Sequence, residues 1–237
     1  MKEKVTEVYN QLAPYYANEA DSASLYNSEY ERPAMMAQLP EDMKGLNVLD
    51  AGCAAGWYSE QFLKAGAAVT AVDISPEMAN AAKKRTGGKA KVLCADLAMD
   101  LPFEDHSFDW IVSSLTLHYL EDWNKTFQEF TRILKPGGQL LFSVHHPMTD
   151  IELLPEAKYF DTELVTDHWE KAGKAYEVLF FRRPLSDLLN RTLQYFSIEK
   201  LIEPRPTLRL RELAPDSYER LMKKPQFLIV KASSRSL

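Results

Sequence analysis

The sequence predicts an α/β fold: a mainly parallel seven-stranded sheet with helices on both faces, and an antiparallel edge strand late in the chain. Three observations predict it. From Leu46 to Val144 short apolar runs alternate with helical patterns, which calls for right-handed crossovers between parallel strands. Val48-Leu49-Asp50 leads into a run of small residues, Ala51-Gly52-Cys53-Ala54-Ala55-Gly56, and a helical pattern starts at Trp57. A second apolar run ends on Asp73, about 20 residues beyond Gly52, the spacing at which nucleotide folds hold ribose hydroxyls.

The elements follow in order. Val5, Val8, Tyr9, Leu12, Tyr15 and Tyr16 have helical spacing, interrupted by Pro14. A second helical stretch covers Ser28 to Gln38, and Pro40 opens the approach to the first strand, Asn47 to Asp50. The loop after it needs backbone freedom at Gly52 and Gly56, and the helix that starts there turns its free N–H groups towards any anion in the loop. Strand 68–72 is followed by a helix that Ser75 caps and Pro76 opens, ended by Gly87-Gly88. Strands 90–94 and 108–113, helix 124–134 and strand 139–144 continue the alternation. After Val144 the rhythm breaks. Two alternating runs, Glu163 to Trp169 and Tyr176 to Phe181, flank Lys171-Ala172-Gly173-Lys174 and predict a β-hairpin. A long insertion at a strand's carboxyl end suits a lid or substrate wall. Helix 186–193, strand 196–201, helix 216–223 and strand 227–231 finish the chain, the last strands pairing antiparallel.

Composition narrows the function. The chain has 237 residues, 46% hydrophobic and 26% charged, enough for one domain with a sizeable core. A net charge of −6 opposes nucleic-acid binding, which needs a basic face. Cys53 and Cys94 both fall in the apparent core pattern, consistent with a reducing cytoplasm. The expectation is a soluble cytoplasmic protein with no leader and no membrane span.

Five segments, taken in order, carry a resemblance. Val-Leu-Asp-Ala-Gly-Cys-Ala-Ala-Gly at 48–56, Ala-Val-Asp-Ile-Ser-Pro-Glu-Met at 71–78, Ala-Asp at 95–96, Leu-Pro-Phe-Glu-Asp at 101–105 and Leu-Lys-Pro-Gly-Gly at 134–138 resemble the class I S-adenosylmethionine-dependent methyltransferases, in particular the small-molecule type 11 group. The resemblance implies a Rossmann-like single domain over 1–237. Its parts would be an N-terminal helical cap at 1–44, a cofactor-binding core at 45–145, a lid or substrate insertion at 146–193, and C-terminal strands and helix at 194–237. It implies S-adenosylmethionine as cofactor, S-adenosylhomocysteine as product, and no metal. Gly52, Cys53 and Ala54 would approach the methionine part, Asp73 the ribose, and Ile74 and Met78 the adenine. Asp96 would accept from the adenine amino group beside Leu97, and Ser113 would lie by the methionine moiety. The family's Tyr-Asp-x-x-Ala-x-x-Tyr stands here as Tyr9-Asn10-x-x-Ala13-x-x-Tyr16, which places Tyr16 near the cofactor carboxylate. One departure is Ala54 where the family has the middle glycine of Gly-x-Gly-x-Gly; a positive φ there would be costly.

His146, in His145-His146-Pro147, stands where a strand's carboxyl end meets ligands, and His118 follows the fourth strand. Either could remove a proton from an acceptor. Methyl transfer itself draws much of its rate from in-line positioning. The expected partner is a small organic methyl acceptor, with no nucleic acid and no membrane, on a monomer or homodimer. Two other readings stay open: an NAD-linked oxidoreductase, which the loop and acid also fit, and a catalytically silent cofactor-binding partner protein.

Overall fold

Apolar residues fill successive rather than alternate positions of the central strands, so both faces of the sheet need cover. The structure, a computed structural model, describes residues 1–154 and 156–235. The strands are β1 (Asn47–Ala51), β2 (Ala68–Asp73), β3 (Lys91–Cys94), β4 (Phe108–Ser114), β5 (Leu134–His145), β6 (Glu163–Lys171), β7 (Lys174–Arg182), β8 (Phe196–Ile202) and β9 (Phe227–Ser234). Seven of them form one sheet in the order β3-β2-β1-β4-β5-β9-β8. The first five run parallel, and β9 is inserted antiparallel between β5 and β8. The strand order reverses between β1 and β4, which opens a crevice at their carboxyl ends.

Neighbouring strand residues serve opposite layers. Leu49, Ile111, Leu140, Phe142 and Val230 pack with Phe127, Phe130 and Ile133 of α6 (Asn124–Ile133). Val48, Val69, Val112, Leu141 and Ile229 pack on the other side, against Tyr58 and Phe62 of α4 (Trp57–Lys64). Trp123, Phe127, Phe130 and Phe142 are fully buried, each contributing about 1.5–3 kcal/mol through apolar area removed from water.

The N-terminal segment differs from the expected pair of helices. α1 (Lys2–Asn18) continues past Pro14 without interruption. After α2 (Ala20–Ala23), a π-turn at Asn27–Glu31 precedes a short helix, α3 (Arg32–Met36). Pro33 explains the widened turn, because it offers no N–H and its ring crowds the carbonyl four residues back. That carbonyl, on Glu29, accepts instead from the Thr207 N–H at 2.9 Å. α1 is tied to α5 (Pro76–Arg85) by Ser75, whose hydroxyl donates to Asn10 Oδ1 at 2.6 Å and accepts from the Met78 N–H at 3.1 Å.

β6 and β7 form the expected hairpin. Its turn residues Ala172 and Gly173 both have positive φ, 48° and 72°, the two-residue geometry that matches strand twist. Cys53 is buried as expected, but Cys94 is exposed: it ends β3, the strand on the open edge of the sheet. Among the described residues no helix is long and apolar enough to cross a membrane.

Candidate active site

The loop after β1 is built from backbone bonds. Gly52 N–H and Cys53 N–H both donate to the Val72 carbonyl, at 2.8 and 2.9 Å, which pins the turn to the end of β2. Gly52 has φ 83°, and a Cβ there would overlap the Thr116 side chain at 2.2–2.7 Å. Gly56 has φ 81°, and its Cβ would meet Ala82 at 2.9 Å. Ala54, between them, sits at φ 45°. The strained position expected from the sequence is therefore adopted.

Asp73 explains how. Its Oδ2 accepts the Ala54 N–H at 2.8 Å, and its Oδ1 accepts the Ser75 N–H at 2.9 Å. Burial pushes this carboxyl up to about 6, against the pull of those backbone donors. The carboxylate lies on the wall of a cavity of about 910 Å³. Gly52, Cys53, Ala54, Ile74, Asp96 and Leu97 share the wall of that cavity. Asp96 there accepts from Lys2 Nζ at 2.7 Å. Tyr16 lines it too, beside Tyr9 and with its phenol raised to about 12 by burial.

Three sequence candidates lie elsewhere. Met78 is fully buried in the packing of α1 on α5 and is not part of the cavity wall. Ser113 is a buried residue of β4, its hydroxyl donating to the Ala51 carbonyl at 2.8 Å, while its neighbour Ser114 faces the cavity. His146 also points away from the cavity. Its Nδ1 accepts the Met148 N–H at 3.1 Å, capping α7 (Pro147–Asp150), and its Nε2 lies 3.1 Å from Glu203. Successive strand residues face opposite sides, so His145 is the one that enters the cavity. His118 enters it as well, its ring stacked on His145 with centroids 4.1 Å apart.

The cavity also gathers residues the sequence did not single out. Glu31 is 1% exposed. Its Oε1 accepts from Ser114 Oγ at 2.8 Å and Ser143 Oγ at 2.6 Å, and its Oε2 from Tyr58 Oη at 2.8 Å. Burial pushes its carboxyl up, opposed by those three hydroxyls and by Arg32. Arg32 lies over the Trp57 ring at 4.2 Å and donates to Asp21 at 2.9 Å. No local pattern singles out Glu31, since Glu29 and Arg32 give the same stretch other charges.

Comparison with known proteins places this geometry. A family model described as a methyltransferase domain matches residues 49–142. A crystal structure from Mesorhizobium loti, an S-adenosylmethionine-dependent methyltransferase, shares 28% identity and a TM-score of 0.68, covering 86% of this chain and 97% of that one. In sequence and in fold the chain is similar to the class I S-adenosylmethionine-dependent methyltransferases. A second methyltransferase structure, from Listeria monocytogenes and assigned to the same cofactor, has a TM-score of 0.75 at 25% identity, covering 87% of this chain and 97% of that one. In sequence, the malonyl-[acyl-carrier protein] O-methyltransferase of Buchnera aphidicola is 32% identical over 142 residues, 60% of this chain and 54% of that enzyme. The chain spans about half the length of the first curated methyltransferases it matches. The likeness points to S-adenosylmethionine as cofactor, and the buried Asp73 carboxylate on the cavity wall is an acceptor suited to its ribose hydroxyls.

Proposed function

We propose that the protein transfers a methyl group from S-adenosylmethionine to a small organic acceptor. The observation that carries this is the Ala54–Asp73 bond at the switch point, which holds a glycine-type loop and an acid together on one large cavity. When bound, the cofactor supplies an electrophilic methyl group on a sulfonium.

The chain's own residues then bind, orient and exclude water. Asp73 takes the ribose hydroxyls, Ile74 and Leu97 sandwich the base, and Asp96 accepts its amino group once Lys2 releases it. Gly52, Cys53 and Ala54 bring backbone close to the methionine chain. Arg32 and Tyr16 are the cation and donor for its carboxylate. Tyr9 and Tyr119, joined through their hydroxyls at 2.6 Å, cover this region from α1 and the segment after β4. The β6–β7 hairpin contributes Trp169 and Phe181 to the cavity wall and serves as the lid over the acceptor. Positioning of this kind supplies much of the acceleration when a reactive group is already present.

The antiparallel β9 and the relatives' names support this reading over an NAD-linked oxidoreductase with the same loop and acid. Calorimetric titration of nucleotide-free protein with S-adenosylhomocysteine, with NAD in parallel, tests it. Micromolar binding of the former alone is expected. Binding of NAD alone, or no binding of S-adenosylhomocysteine at millimolar concentration, would overturn it. Binding without turnover on any acceptor, together with a stable complex with another protein, would instead favour the catalytically silent role.

A further inference from the structure

Four polar atoms on three side chains stand without a hydrogen-bond partner at one end of the cavity. They are both ring nitrogens of His118, Nδ1 of His145 and Oδ1 of Asp150. His118 and Asp150 are each 3% exposed, and all three residues line the cavity. Buried polar atoms are normally satisfied, so a cluster of orphans on a cavity wall marks the place of a polar ligand. Asp150 Oδ1 and His145 Nδ1 lie 3.3 Å apart without the alignment of a hydrogen bond; a small turn of the imidazole closes that bond and sets the tautomer with Nε2 as the lone-pair end, which leaves the two His118 nitrogens for a ligand. Phe180 packs edge-on to both imidazoles, at 5.6 and 4.5 Å between centroids, which fixes the stacked pair.

We propose that His145, oriented by Asp150, is a catalytic base that takes the proton of a phenolic hydroxyl, with His118 holding a second oxygen on the same aromatic acceptor. This deepens, and rests on, the methyl-transfer reading of the site. Three features select the class. Tyr119 and Phe227 stand beside the two imidazoles, at 4.4 Å from His118 and 6.0 Å from His145 between centroids, and both line the cavity, apolar walls suited to a ring. A phenol's acidity lies within a few units of imidazole's, so the proton can move, whereas an aliphatic alcohol holds its proton far more tightly. Burial keeps His118 neutral, helped by His145 and Arg183, so it offers one N–H and one lone pair, a match for a ring oxygen and not for a full charge. A carboxylate acceptor would need no base. Arg183, the cation whose charge reaches His118, donates instead to the Leu120 and Glu121 carbonyls and is not part of the wall.

The step balances without any further reactant. The hydroxyl proton passes to His145 Nε2. The oxygen's electron pair forms the O–CH₃ bond as the S–CH₃ bond breaks, that bond's electrons staying on sulfur. The products are the aryl methyl ether, S-adenosylhomocysteine and a protonated His145 that returns its proton to solvent. Asp150 is a positioning residue that acts through His145.

The test uses 4-nitrophenol, whose phenolate is visible by absorption. The full chain, with and without S-adenosylhomocysteine, is titrated at about pH 6, where imidazole can still accept a proton. The expected result is saturable binding with at least a twofold higher phenolate fraction in the bound probe than in the free one. His145→Gln should bind the probe yet lose that excess, and Asp150→Asn, nearly isosteric, should lose more than half of it. 4-Nitrocatechol, which adds a second ring oxygen, should bind about fivefold tighter than 4-nitrophenol, and His118→Gln should remove that advantage while the bound probe stays ionised. Thermal unfolding checks each variant, and if His145→Gln does not fold, Asp150→Asn decides. A probe that does not bind, or binds with the free phenolate fraction, overturns the proposal, as does an unchanged excess in the folded variants. Benzoate or benzylamine competing more tightly than 4-nitrophenol would overturn the phenol class. Calorimetry with S-adenosylhomocysteine on the same samples separates the two claims. Cofactor binding without probe ionisation rejects this proposal alone, and probe ionisation without cofactor binding rejects the methyl-transfer reading alone.

Discussion

The Asp73 carboxylate holds the Ala54 backbone N–H at 2.8 Å while Ala54 sits at φ 45°. A charge-assisted bond is stronger than a neutral one, and here it offsets a conformation that costs a non-glycine residue about 1–2 kcal/mol. Ala54→Gly should relieve that cost but add roughly 0.5–1 kcal/mol of unfolded-state freedom. The expected outcome of urea unfolding is a small net gain, about 0.5 kcal/mol, with S-adenosylhomocysteine affinity within about twofold of the parent. Ala54→Val should do the opposite. A β-branched residue at this φ is an outlier, and calorimetry should show affinity falling about tenfold.

Buried carboxyls set the pH dependence, Glu31 being raised by burial in the same direction as two aspartates. Burial raises Asp73 to about 6 and Asp50 to about 7, the latter despite the Ser59 hydroxyl on its Oδ2 at 2.6 Å. Both values lie above the ordinary 3.8 of an unfolded aspartate. The folded state therefore binds more protons between these limits, and stability falls as pH rises from about 4 through 7. Urea unfolding at intervals across that window should show a loss of a few kcal/mol. Asp50→Asn should flatten the upper part of the slope.

Cofactor affinity should run the other way. Ribose hydroxyls donate best to ionised Asp73, so the S-adenosylhomocysteine dissociation constant should rise about tenfold per pH unit below 6. Asp73→Asn should remove that dependence along with most of the affinity, by calorimetry at two pH values.

Gly52 carries a steric prediction. Its φ of 83° is left-handed, and an added Cβ would fall within 2.7 Å of three Thr116 side-chain atoms. Gly52→Ala should weaken S-adenosylhomocysteine binding by more than about tenfold, through backbone strain and displacement of Thr116. Thr116→Gly in the same chain should recover part of the loss, since the clash goes and the strain stays.

What was legible in the sequence is local. The glycine loop, Ser75 capping and the Ala172-Gly173 hairpin turn each depend on residues a few positions apart, and strand alternation fixes the layers. The parity of a strand end was not legible. His145 and His146 are adjacent and chemically identical, and the turn into α7 decides which imidazole faces the cavity and which caps the helix. The same one-residue parity separates Ser113, bonded to Ala51, from Ser114, bonded to Glu31. Met78 was expected beside adenine, but its helix faces α1 instead. Glu31 was invisible for another reason: its partners lie 27, 83 and 112 residues away, contacts that only the folded chain brings together.

That long-range cluster gives the last prediction. Glu31 joins the π-turn to α4, β4 and β5 through one carboxyl that accepts three hydroxyl donors. Removing it strands those donors in a buried setting, which costs about 1–3 kcal/mol for each group left unsatisfied. Glu31→Ala should therefore destabilise by more than about 3 kcal/mol, the cavity left behind adding to the lost bonds. Glu31→Gln keeps the shape and one acceptor, but its amide turns a donor towards hydroxyls that are themselves donating. They can rotate to accept, so its cost should be smaller, about 1–2 kcal/mol. Urea unfolding of both variants, with Tyr58→Phe as a third, measures the ordering. Tyr58→Phe removes one donor and leaves two, and should cost least, about 1 kcal/mol. If Glu31→Gln proves as damaging as Glu31→Ala, ionic charge beside Arg32, rather than hydrogen bonding, would be what this carboxyl contributes.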